Sequence, residues 1–135
     1  MAKRLDENLG SVGYDNLIGG TFPATEVFRV TIRKEAAEVK TYQRGTVLAL
    51  SGGAAGDGLF VILGTEAAEN EELVANCVLS DDVIVGTDSD ELALAYRTGH
   101  FNRNRLITAD GYELTDADLE ALRSVGILTS EALCL

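Results

Sequence analysis

The chain has no tryptophan, one proline, one methionine, one histidine and two cysteines in 135 residues. Cys77 and Cys134 are too few for a disulfide framework or a zinc cluster, and a lone His100 cannot complete a Cys/His ligand set, so no structural metal is expected. Cys77 lies in Val74-Ala75-Asn76-Cys77-Val78-Leu79 and reads as a small core hydrophobe, while Cys134 stands beside the chain end. With aromatics at 6%, a sugar-stacking surface is thinly supplied. No apolar run approaches the roughly 20 residues that span a bilayer. Base is scarce as well: nothing basic occurs between Arg44 and Arg97, whereas ten carboxylates fall from Asp57 to Glu91. Residues 51–135 carry 4 basic and 16 acidic side chains, against 7 and 6 in residues 1–50. A surface of net −12 repels phosphate backbones and anionic lipid, which argues against nucleic-acid and membrane partners. The start Met1-Ala2-Lys3-Arg4-Leu5-Asp6 has no apolar h-region, so a cytosolic chain, or one built into something assembled in the cytosol, is expected.

The hydrophobic share of 46% and charged share of 24% are those of a globular domain, and the length predicts a single one with its own core. Residues 1–25 hold Gly10, Gly13, Gly19, Gly20 and Pro23 among isolated apolar residues with no sustained period, which predicts an extended arm. From Val27 the pattern alternates. Phe28, Val30 and Ile32 interleave with Arg29, Thr31 and Arg33, as in a half-buried strand. Further strands are expected at 39–42, 46–50, 59–63, 76–79, 83–85 and 91–97, with Leu92, Leu94 and Tyr96 on one face of the last and Ala93, Ala95 and Arg97 on the other. Ser51 to Gly58, with four glycines, predicts a mobile hairpin tip. Thr115 to Gly126 predicts a helix over about 115–125: an N-cap threonine, early acids, an apolar stripe of Leu119, Leu122 and Val125, and a glycine stop. Leu106-Ile107 suggests a further helical turn. The expected fold is mainly β, a small β-barrel or β-tandem-like domain over 26–135 with one short C-terminal helix and an extended N-terminal arm.

Candidate chemistry is sparse, and no catalytic residue is assigned. The glycine octet lacks the Lys-Ser/Thr pair of a phosphate loop and joins strand to strand. His100 has no nucleophile or orienting partner legible beside it. Asp81-Asp82 and Asp88-Ser89-Asp90-Glu91 lack the offsets of a calcium loop and read as solvated turns. Arg97, Arg103 and Arg105 form the basic cluster of an acidic half, and pairing with carboxylates across a subunit interface suits them better than nucleic acid.

In order and spacing, Arg44-Gly45-Thr46-Val47-Leu48, the apolar run Leu59 to Leu63, Tyr96-Arg97-Thr98-Gly99-His100-Phe101-Asn102 and the terminal Leu122-Arg123-Ser124-Val125-Gly126-Ile127 resemble the lambda-type phage head decoration (cement) proteins over roughly residues 25–130. The acidic helix after Asp110 is longer than in the smallest members of that family. The resemblance implies a non-enzymatic β-domain, without cofactor, that sits as a homotrimer on the outer capsid surface of a virion. Its partner would be the major capsid protein, and it would brace the shell. Capsid contact is then expected from the arm residues Leu17, Ile18 and Phe22, and subunit contact from Arg97, Arg103 and Arg105. A glycan-binding β-module and, further off, a carboxylate-dependent hydrolase are the alternatives.

Overall fold

Alternating side chains become paired strands from Ile18 onward. The computed structural model describes residues 17–130. In chain order the strands are β1 (Ile18–Gly20), β2 (Glu26–Ile32), β3 (Lys40–Tyr42), β4 (Val47–Gly52), β5 (Phe60–Ile62), β6 (Glu72–Leu79), β7 (Val83–Val85) and β8 (Glu91–Asn102). A short 3-10 turn at Arg103–Arg105, helix α1 (Asp116–Val125) and strand β9 (Ile127–Ser130) follow.

Five strands close a barrel in the order β2-β5-β4-β6-β8, and β8 seals it by pairing with both β2 and β6. The β2–β5 contact is parallel and the other barrel pairings are antiparallel. β8 has 12 residues because it serves two structures. Its first half belongs to the barrel. Its second half leaves it, flanked by β1 (Ile18↔Phe101, Gly20↔His100) and by β9 running parallel (Gly99↔Ile127 to Asn102↔Ser130). Gly99, at φ +151°, marks the departure; a Cβ there would stand 2.7 Å from Cζ of Phe101, so the position has room only for hydrogen while the Phe101 ring folds back into the core. A separate ribbon joins β3 to β7.

The barrel is filled by Val30 and Ile32 of β2, Val47, Leu48 and Ala49 of β4, Val61, Ala75, Cys77, Val78, Leu79 and Ala95, with Leu17, Phe101, Leu122 and Ile127 extending the same core. Along β8 the alanine face points inward and the leucine face outward: Ala95 is fully buried while Leu92 and Leu94 are exposed. Small side chains on β8 leave the limited interior to the bulky residues of the facing strands.

Several expectations change. The folded part begins before residue 26, because Leu17 is 1% exposed and the Asn102 N–H donates to its carbonyl at 2.7 Å. The turn expected at Leu106-Ile107 lies one step earlier, at Arg103–Arg105, and Ile107 instead bridges Thr46. Helix α1 has the expected bounds, with Thr115 and Asp118 forming a reciprocal capping box and Gly126 in the left-handed region at φ +108°. Its buried residue is Leu122, whereas Val125 is exposed and outside the packed stripe.

Candidate functional site

The glycine octet is tethered. Asp57 of the octet accepts two hydrogen bonds from the Arg33 guanidinium, both at 3.1 Å, and Arg33 also reaches Glu71 at 2.6 Å. The Ser51 hydroxyl donates to Glu71, and the Ala55 N–H donates to the Asn70 carbonyl at 2.8 Å. A glycine-rich stretch looks mobile in sequence, yet this one is closed by charge-assisted hydrogen bonds that Arg33 donates to Asp57 and Glu71, 24 and 38 positions further along the chain. The Ala68 N–H, the Ser51 hydroxyl and Arg33 hold the Glu71 carboxyl down at about 2, and Arg33 lowers Asp57 as well.

Beside this clamp lies a cleft of about 740 Å³ lined by Arg33, Lys34, Glu35, Lys40, Tyr42 and Asp110 among others. Its charges answer one another: Glu35 accepts from the Tyr42 hydroxyl and lies 3.7 Å from Lys40 Nζ. Burial, reinforced by that carboxylate, pushes the Tyr42 hydroxyl above its ordinary range. His100 sits between β1 and β9, its Nε2 2.8 Å from Ser130 Oγ and its ring against Gly20, where a Cβ would approach Nδ1 to 2.6 Å. Among the described residues no group of three or more His, Cys, Asp or Glu could hold a metal ion.

The three arm residues named from sequence divide. Leu17 belongs to the chain's own core and cannot serve as a free contact. Ile18 is exposed on β1, and Phe22, followed by the cis-proline Pro23, is 81% exposed. β1 ends the sheet order, pairing β8 on one side. The three arginines divide too. Arg97 lies midway along β8 with its guanidinium 5.7 Å from the Phe28 ring. Arg103 and Arg105 stand beyond the end of that strand, in the 3-10 turn, after five strand steps from Arg97 that rise about 17 Å at 3.3 Å per residue.

Sequence reasoning used Arg44 only as the start of a strand motif and gave its side chain no role. In the fold Arg44 donates to the Ser80 carbonyl at 3.3 Å and to the Tyr96 hydroxyl, with its guanidinium 5.5 Å from the Tyr96 ring, while its N–H bonds Asp82 at 2.7 Å. Only the flanking turn glycine hinted at its position. The described tyrosines are similarly occupied: Tyr42 is buried on Glu35, Tyr96 lies under Arg44 and 5.2 Å from Phe101, and Tyr112 donates to Asp118. Phe22 is thus the strongly exposed aromatic among the described residues.

No protein-family model matches the chain, and no curated protein matches it.

Proposed function

We propose that this chain is a capsid decoration (cement) protein of a phage head, binding the outer surface of the shell as a homotrimer and bracing the major capsid protein beneath it. The carrying observation is the exposed pair Ile18, on β1, and Phe22, two residues past its end, beside a strand whose pairing among the described residues is with β8 alone. A large aromatic left in water beside a strand that is unpaired on one side among the described residues suits a partner that adds main-chain hydrogen bonds and a pocket. The closed barrel suits a load-bearing role.

The alternatives have less behind them. A glycan-binding face needs a row of exposed aromatics, and the described tyrosines are engaged inside the fold. A carboxylate hydrolase needs a carboxyl pushed upward, whereas Glu71 and Asp57 are pulled down.

Co-sedimentation with undecorated heads tests the proposal. Burying one phenylalanine is worth about 1.5–3 kcal/mol, and three copies on one trimer compound the loss. Phe22→Asp should therefore reduce head occupancy at least tenfold, with an unchanged thermal midpoint because the side chain contributes nothing to the core. Full occupancy by this variant would sink the assignment of the β1 edge as the capsid contact.

A further inference from the structure

The sequence contains the pair Asp-Gly twice, at Asp57-Gly58 and Asp110-Gly111. The pair is reactive because glycine puts no side chain in the way when its amide nitrogen approaches the neighbouring aspartyl carboxyl. The two copies match in several respects. All four residues are exposed, Gly58 and Gly111 take φ of +77° and +80°, and nothing crowds either glycine where a Cβ would stand. They differ in bonding. Asp57 Oδ1 and Oδ2 each accept a hydrogen bond from Arg33 at 3.1 Å, and Oδ1 accepts another from the Leu59 N–H at 3.0 Å. The Gly58 N–H donates to the Ser51 carbonyl at 3.1 Å. Asp110 instead sits in a turn closed by the Tyr112 N–H on the Ala109 carbonyl at 3.0 Å. Its carboxylate and the Gly111 N–H have no hydrogen-bond or ion-pair partner among the described residues.

We infer that Asp110-Gly111 is a site of spontaneous covalent modification, aspartate to isoaspartate through a succinimide, and that the Arg33 clamp keeps Asp57-Gly58 out of the same reaction. In the first step the Gly111 nitrogen attacks Cγ of Asp110. The N–Cγ bond forms, the carboxyl C–OH bond breaks, and the hydroxyl leaves with the amide proton as water. Water then opens the ring. Addition at Cγ restores aspartate, whereas addition at the main-chain carbonyl carbon breaks its bond to the Gly111 nitrogen and leaves the chain running through Cβ and Cγ. No other reactant is needed. Ring closure requires the carboxyl to turn and the following N–H to leave any acceptor it has. At Asp110 nothing has to break, while at Asp57 the bonds from Arg33 and Leu59 and the bond to Ser51 all stand in the way. The acid that loses water is the neutral carboxyl, and Arg33 draws Asp57 toward its ionised form. The Asp110 turn is held to the barrel by the Ala109 N–H on the Leu63 carbonyl at 2.9 Å, and it lines the cleft beside β3. An extra backbone carbon there alters a wall of that cleft, whatever the chain binds.

Peptide mapping of the folded full chain, aged in mildly acidic buffer, tests it. Trypsin separates the two pairs, since Arg44 and Arg97 flank one and Arg105 and Arg123 the other. Isoaspartate is read as a shifted chromatographic retention at unchanged mass, and as resistance to a protease that cuts before aspartate. It should accumulate at Asp110 and form at least about tenfold more slowly at Asp57. Chain aged in denaturant should convert the two at comparable rates. In Arg33→Gln, with near-ultraviolet circular dichroism as the fold control, the rate at Asp57 should rise toward that at Asp110. An unchanged rate in the folded variant would remove Arg33 as the protecting group. If that variant unfolds, the comparison of folded with denatured wild type still decides. Equal rates in the folded wild type, or faster conversion at Asp57, overturn the assignment. So does an Asp110 that stays unmodified in the folded chain for as long as the denatured chain takes to convert.

Discussion

Arg33 shows how a single side chain changes the character of a loop. It bonds Asp57 in the glycine octet and Glu71 just before β6, so one guanidinium closes the tip of the β4–β5 hairpin onto a neighbouring loop. The clamp is pH-sensitive in a defined direction. Glu71 is held at about 2 in the folded chain against an ordinary 4.5, so its contribution is full above about 4.5 and drains away as pH falls toward 2. Asp57 is displaced in the same direction, chiefly by Arg33. Denaturant unfolding at a series of pH values should therefore show stability declining below about 4.5, with a flatter profile in that window for Glu71→Gln. An identical slope in the variant would mean that other carboxylates carry the acid response. The exposed Arg123–Glu120 pair, at 2.7 Å but with both side chains largely in water, should add little by comparison.

Helix α1 is the element whose local rules and packing agree most closely. Its capping box satisfies orphan N–H groups at the start, Asp116 and Asp118 complement the dipole, and Gly126 turns the chain into β9. Thr115→Ala should lower stability by about 1 kcal/mol through the lost cap. Leu122→Ala should cost about 2–5 kcal/mol, because that side chain is fully buried in the common core. Val125→Ala should lie within about 0.5 kcal/mol of wild type, since Val125 faces solvent. Thermal melts of the three variants check the ranking, and a Val125→Ala loss equal to that of Leu122→Ala would mean the exposed face is covered. β8 is the contrasting element. Its alternation was plain in sequence, but alternation alone does not say which face is wet, and here the bulkier leucines are outside.

At the scale of the whole molecule, the first strand is part of the domain. Leu17 fills core space and β1 lies along β8, so removing residues 1–20 takes away a buried leucine and a strand, whereas removing residues 1–16 spares both. Relative to the shorter truncation, the longer one should lose several kcal/mol, on the scale of a deleted core leucine. Circular dichroism melts of the two chains decide the matter, and equal midpoints would show that β1 is dispensable. Capsid-binding assays on the longer truncation would be confounded by that loss, which is why Phe22→Asp is the cleaner probe.

What the sequence determined by itself was whatever depends on neighbours along the chain: the mainly β character, since period-two alternation has one backbone solution; the helix at Thr115 to Gly126, since caps and stripe lie within eleven positions of each other; and the exclusion of a Cys/His metal cluster, since the ligands are not there. Tertiary structure decided everything set by pairing at a distance. It chose the inner face of β8, closed the barrel through Val78↔Tyr96 and Leu79↔Ala95, drew Leu17 from an apparent arm into the core, and tied a glycine loop with Arg33. It also set Arg97 apart from Arg103 and Arg105, which look adjacent in sequence, because the five extended residues that follow Arg97 in β8 carry the chain away before the turn at Arg103. The physical reason is the same in each case. Local periodicity specifies which side chains share a face, but which face is buried, and which charges meet, depends on what other segments the fold brings opposite, and that free energy has no local signature.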